Sequence, residues 1–122
     1  MQNDDRYISD KVLTELKYVG IDFDDTMAKK IWPEPGIGEM LPGTKEALQE
    51  IKDLGYHIYI HTARPYADIK PIRNWLKDNG LIDLVDGIVC GKPLFKLMID
   101  DSGYRFKDWK DDLPKIKEVL ET

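Results

Sequence analysis

The chain has 122 residues and a formal net charge of −5, from 18 Lys and Arg against 23 Asp and Glu. Its apolar fraction of 42% and charged fraction of 34% describe a globular chain long enough to bury a core and exclude a disordered one. The acidic balance argues against strong nucleic-acid binding, and no apolar run reaches membrane-span length. The single Cys90 cannot form an internal disulfide and suits a reducing compartment. The opening Met1-Gln2-Asn3-Asp4-Asp5 is polar and acidic, unlike a signal peptide, so a cytoplasmic location is expected.

The elements alternate along the chain. Residues 9–16 read as a short helix with Ser9 as N-cap and Val12, Leu13 and Leu16 on one side. This places an N-terminal extension over residues 1–17, ahead of one domain at 18–122. Residues 18–22 read as the first core strand. Residues 27–42 carry Pro33, Pro35, Gly36, Gly38 and Pro42, so no long helix fits; loops of this length in a small domain are usually functional or disordered. Residues 44–54 predict a helix capped by Thr44 and ended by Gly55, with Ala47, Leu48, Ile51 and Leu54 on one face. Residues 57–61 predict a strand. Residues 67–79 predict a helix with Ile69, Ile72, Trp75 and Leu76 at helical spacing and Pro71 in its first turn. Residues 85–90 and 96–100 predict the third and fourth strands. Leu113, Ile116, Val119 and Leu120 mark a last helix with Pro114 near its start. This alternation predicts an α/β fold with a mostly parallel sheet and right-handed crossovers.

Two apolar runs end in carboxylates. Tyr18-Val19-Gly20-Ile21 runs into Asp22-Phe23-Asp24-Asp25-Thr26. Such clustered acids repel one another and lose hydration, which calls for a cation or a protonated member. An ordinary acidic turn reads equally well from this segment alone. A second acidic site breaks the tie: residues 94–99 are mostly apolar and lead into Asp100-Asp101-Ser102-Gly103. Between the two lie a strand ending at Thr62 and a loop lysine, Lys92, in Gly91-Lys92-Pro93. In an open parallel sheet the ligand crevice lies outside the carboxyl ends of the strands, where these groups can converge.

The ordered set Asp22-x-Asp24-x-Thr26, Thr62, Lys92 and Asp100-Asp101 resembles the four motifs of the haloacid dehalogenase superfamily over roughly residues 18–112. Small capless phosphatase-like members are the nearest in kind. The resemblance implies a Rossmann-like three-layer sandwich and a Mg²⁺-dependent phosphohydrolase acting on a phosphomonoester through an aspartyl-phosphate. Asp22 is then the nucleophile, splitting one displacement into two easier ones. Asp24 is the acid for the leaving oxygen and the base for the hydrolytic water. Thr62 donates to a phosphoryl oxygen, and Lys92 balances the charge of phosphate and Asp22. The implied Mg²⁺ ligands are Asp22, the Asp24 backbone carbonyl and Asp100, with Asp101 and Thr26 supporting them from behind. Asp101 reads equally as a loop acid with no part in catalysis.

The family's hairpin flap falls in residues 27–42, too short for a cap domain, and the interval from Thr62 to Lys92 has no room for the other cap type. The expected site is therefore open. It admits a phosphorylated small molecule, an exposed phosphate on a larger one, or a neighbouring subunit as lid, which leaves homo-oligomers open. Trp32 in the flap either stacks on substrate or staples the flap to the core. Arg64 either reaches a substrate anion or is solvated. His57 and His61 lack a third ligand, so packing is favoured over zinc. Asp25 stands where relatives often carry Gly, a position that Asp tolerates better than most residues. The competing readings are an inactive metal- or phosphate-binding regulatory module and a signalling receiver domain; the order of the acids relative to Lys92 disfavours the receiver.

Overall fold

The computed structural model describes residues 17–31, 33 and 36–122. The helix expected over residues 9–16 and the flap residue Trp32 lie outside the described residues. Strand β1 (Tyr18–Ile21) leads through the flap to helix α1 (Thr44–Asp53), strand β2 (His57–His61), a 3₁₀ turn (Tyr66–Asp68) and helix α2 (Ile69–Asp78). A second 3₁₀ turn (Ile82–Leu84), strand β3 (Gly87–Val89) and helix α3 (Trp109–Leu120) complete the order. The strands form a parallel sheet in the order β1-β2-β3. The registers pair Ile21 with Ile60, and Ile60 with Ile88. The chain is thus an α/β protein of Rossmann-like type.

Alternation along the strands decides what faces the core. Ile21, Ile58 and Ile60 are buried together with Ala47, Leu48 and Ile51 of α1, Ile72 and Leu76 of α2, and Trp109 of α3. Each large apolar side chain fully buried in this way contributes about 1.5–3 kcal/mol. The alternate positions carry Tyr18, His57 and Tyr59, whose rings meet at centroid distances of 5.2–5.3 Å. His57 and His61 are exposed on this side, in keeping with a packing or surface role.

Local chemistry departs from expectation at two helix starts. Thr44 does not cap α1. The N-cap is Gly43 at φ 84°, and Thr44 is buried with its hydroxyl 3.4 Å from the Met27 carbonyl. A Cβ on Gly43 would be strained by that φ and would lie 3.1 Å from Trp109 Cβ. Helix α3 starts a turn earlier than its apolar spacing suggests, which leaves Pro114 inside it. The cause is a pair of acids: Asp108 accepts from the Asp111 N–H at 2.8 Å, and the buried Asp112 reaches back to the N–H groups of Lys107 and Asp108 and to the Tyr104 hydroxyl.

Asp112 gives this region a pH dependence. The Lys107 N–H holds its carboxyl below the usual range; burial opposes this, and the Tyr104 hydroxyl and the Asp108 N–H reinforce it. A folded-state pKa below the unfolded one stabilises above the ordinary carboxylate value. That contribution is lost as pH falls through the depressed value. Asp112→Asn should therefore lower the melting temperature most near about pH 7, and the gap from the parent should narrow below about pH 4. A gap that stays constant in a melting series across that range would remove the charge from the account.

The expected fourth strand is absent. Residues 94–99 are irregular and pair with no strand, and Leu94 and Ile99 are 84% and 92% exposed. The open edge of β1 has no ladder partner among the described residues. An apolar run supplies the side chains of a strand, but only pairing makes it one.

Candidate active site

The site is built at the carboxyl ends of β1 and β2. Asp22 follows β1, and its Oδ1 accepts from the Phe23 N–H at 2.9 Å and from Lys92 Nζ at 3.2 Å. Its side chain is 47% exposed, so one face is open to a ligand. Lys92 comes from the far side of the sheet and is fixed by backbone bonds. Its N–H donates to the Thr62 carbonyl at 3.0 Å, Thr62 N–H to the Val89 carbonyl at 2.9 Å, and Gly91 N–H to the Arg64 carbonyl at 2.9 Å. Thr62 is buried, and its Oγ1 accepts from the Arg64 N–H at 3.2 Å, which leaves its O–H hydrogen to donate. Three predicted residues, Asp22, Thr62 and Lys92, are thereby brought together from three parts of the chain.

The loop after Asp22 is a tight turn folded under the flap. Met27 and Ala28 N–H groups both donate to the Phe23 carbonyl, and Asp25 N–H donates to the Ala28 carbonyl at 2.7 Å. Asp25 has φ 61°, the left-handed conformation that glycine adopts freely, and its Oδ1 accepts from the Lys30 N–H at 2.9 Å. A short polar side chain that bonds locally makes this conformation accessible to Asp. Thr26 is buried, and its carbonyl accepts from Trp109 Nε1 at 3.0 Å. The flap base is antiparallel: Lys29 N–H donates to the Glu39 carbonyl, and Leu41 N–H to the Met27 carbonyl. A Cβ on Gly38 would collide with the Lys29 carbonyl. Trp75 fastens the flap by donating to the Gly38 carbonyl at 2.9 Å while standing edge-on to Phe23.

Asp24 and Arg64 form a partnership that sequence reasoning missed. Arg64 is neither solvated nor open to a ligand, being 3% exposed. Its Nε and Nη2 donate to the two oxygens of Asp24 at 2.8 Å each. Nη2 also donates to the Gly36 carbonyl at 2.8 Å, and Nη1 lies 3.4 Å from Asp68. The guanidinium sits 5.7 Å from the centre of the Phe23 ring. Arginine is rarely buried without partners. The one signal in the sequence was its place two residues after Thr62, at the same sheet end as Asp24.

The hydrogen bonds recorded for Asp100 stay within its own turn. Asp100 is exposed, and its carboxylate accepts from the Asp101 N–H at 2.8 Å and from the Ser102 hydroxyl at 3.2 Å. Ser102 first, then the Asp101 N–H, holds its carboxyl below the usual range. Asp101 is exposed as well. Among the described residues no group of three or more His, Cys, Asp or Glu side chains is placed to hold a metal ion. Asp22, Asp24 and Asp100 thus belong to no such group, and residues 94–99, which lead to Asp100, pair with no strand. A groove lined by Glu46, Glu50, Trp109, Leu113 and Lys117 includes none of these residues. No described helix is long and apolar enough to cross a membrane.

Comparison with known proteins bears on the same segment of chain. No curated protein matches the sequence significantly. A conserved Bacteroides thetaiotaomicron protein of solved structure is similar in fold, with a TM-score of 0.62 and 22% identity over 85% of this chain and 92% of its own. A Vibrio cholerae protein of known crystal structure is similar with a TM-score of 0.65 and 22% identity, over 87% of this chain and 98% of its own. The family profile described as haloacid dehalogenase-like hydrolase matches residues 19–115, from the first strand into the last helix. With the sheet, the flap and the acidic strand end all inside that match, the chain belongs to the haloacid dehalogenase-like hydrolases.

Proposed function

We propose that this hydrolase cleaves a phosphomonoester, with Asp22 as nucleophile. The observation that carries the reading is the contact of Asp22 with Lys92 at 3.2 Å across the sheet end, beside a Thr62 tied to Lys92 through the backbone. A half-exposed carboxylate next to a cation suits in-line attack on phosphorus, because the lysine offsets the charge of both anions. Attack forms the Asp22–phosphorus bond and expels the alcohol oxygen, which takes a proton from Asp24. Asp24 then accepts a proton from the water that cleaves the acyl-phosphate and frees inorganic phosphate. Thr62 directs its O–H toward a phosphoryl oxygen. The substrate is a phosphorylated small molecule or an exposed phosphate on a larger one.

Mg²⁺ is the cofactor expected of the family, with Asp22, the Asp24 carbonyl and Asp100 as its holders. When bound, the ion neutralises phosphate charge. The described side chains do not make a cage for it as they stand, and no step above runs through it. The exposure of Asp100, at the end of a segment that pairs with no strand, favours the second reading, a metal- or phosphate-binding regulatory module without turnover.

One experiment decides between the two. A phosphate-release screen over a broad panel of phosphomonoesters, with Mg²⁺ and again after chelation, should give hits that chelation abolishes. Release that survives rigorous chelation would reject the cofactor. Silence on every ester, with phosphate or Mg²⁺ still bound in calorimetry, would leave the regulatory module.

A further inference from the structure

The Arg64 guanidinium ties together three things that are separate in sequence: the carboxylate of Asp24, the flap at Gly36, and the turn after β2 at Asp68. Fixing a charged group this far from water has a desolvation cost, and an apolar pair of similar volume is often as stable or more so. What a planar fork supplies that an apolar pair cannot is direction. Two parallel N–H donors meeting two carboxylate oxygens set the plane of the carboxylate as well as its position. The third bond sends the same nitrogen to the flap, so a flap that lifts at Gly36 disturbs the group that orients Asp24. Phe23 beneath the guanidinium, fully buried and edge-on to Trp75, gives the fork a rigid floor.

From this geometry we propose that Arg64 is a positioning residue: it aims Asp24 for proton transfer, the exchangeable proton sitting on a carboxyl lone pair that the fork leaves free, and couples that aim to the seating of the flap. The inference rests on the phosphohydrolase reading and adds to it that Arg64 acts through Asp24, without touching substrate. Binding of a substrate anion by Arg64 would require that buried group to leave both Asp24 oxygens.

Arg64→Lys keeps the charge and loses the fork. It is expected to lower kcat about tenfold to a hundredfold on an alkyl phosphate, whose leaving oxygen needs the proton, and much less on an aryl phosphate with a good leaving group. KM and the affinity for inorganic phosphate should stay within about threefold. In an Asp24→Asn background the same change should add little, since both act at one step. Hydrogen exchange of the Lys29 and Leu41 amides, which bond across the flap base, should quicken in both single variants. A raised KM with kcat kept would make Arg64 a substrate ligand. Equal loss on both esters, additive with Asp24→Asn and accompanied by a lower melting temperature, would make it structural; either result overturns the proposal. If Arg64→Lys does not fold, flap exchange in Asp24→Asn decides alone, and unchanged protection of the Lys29 and Leu41 amides rejects the coupling. Failure of the phosphohydrolase reading looks different: the parent protein itself then releases no phosphate.

Discussion

Asp22→Asn is expected to abolish turnover by a factor on the order of a thousand or more and to eliminate covalent phosphoryl labelling, while leaving the fold intact. An amide has nearly the shape of a carboxylate but is a poor nucleophile. The position tolerates the change because the side chain is 47% exposed. An Asn oxygen can still accept from the Phe23 N–H and from Lys92 Nζ, the two donors that Asp22 now serves. The melting temperature should therefore shift by only about a degree or two, in the range of a surface substitution. Single-turnover labelling with a radioactive aryl phosphate, beside a melting curve, checks both halves. A variant that keeps more than about a tenth of parental activity would remove Asp22 from the nucleophile's role.

The largest effect on stability is expected at Trp109. This residue is 4% exposed, packs against Phe106 at a centroid distance of 4.6 Å, and donates to the Thr26 carbonyl at 3.0 Å. Trp109→Ala should cost about 3–5 kcal/mol through the cavity it leaves. That corresponds to a fall in melting temperature of roughly 10–20 °C for a domain of this size. Trp109→Phe keeps much of the packing and loses the N–H, leaving the Thr26 carbonyl short of a partner at about 1–3 kcal/mol. Denaturant titration of both variants separates the two contributions. A loss below about 1 kcal/mol for the alanine variant would mean that the helix repacks without it. Activity should fall along with stability, because Thr26 lies in the turn that carries Asp24.

The contrast between the first and second acidic sites shows what one chain segment can reveal. β1, β2, α1 and α2 were legible because their apolar residues recur at strand or helix spacing and their ends carry glycine. Gly55 and Gly80 both take positive φ, as expected of residues that end helices. Residues 96–100 have the same apolar character, but strand formation depends on a partner distant in sequence, and composition does not report whether that partner is engaged. At the candidate site, Asp22, Thr62 and Lys92 could be singled out because each residue type has its own chemistry near a strand end. Arg64 and Asp112 could not. Both are charged residues of kinds that are mostly exposed, and their burial follows from donors and acceptors supplied by loops whose path the sequence does not show. Thr44 misled for a related reason: a hydroxyl before a helix usually caps it, but here the core claimed the side chain.

Two indole N–H bonds among the described residues make the protein its own optical probe. Trp75 donates to the flap at Gly38, and Trp109 to the turn at Thr26, so these chromophores report from either side of the loop that carries the site. Indole emission moves to longer wavelength when its surroundings become wetter. Lifting of the flap would register through Trp75, and loosening of the turn beneath Asp24 through Trp109. Replacing one tryptophan at a time assigns each signal, and ligand titrations can then be followed without a label and without turnover.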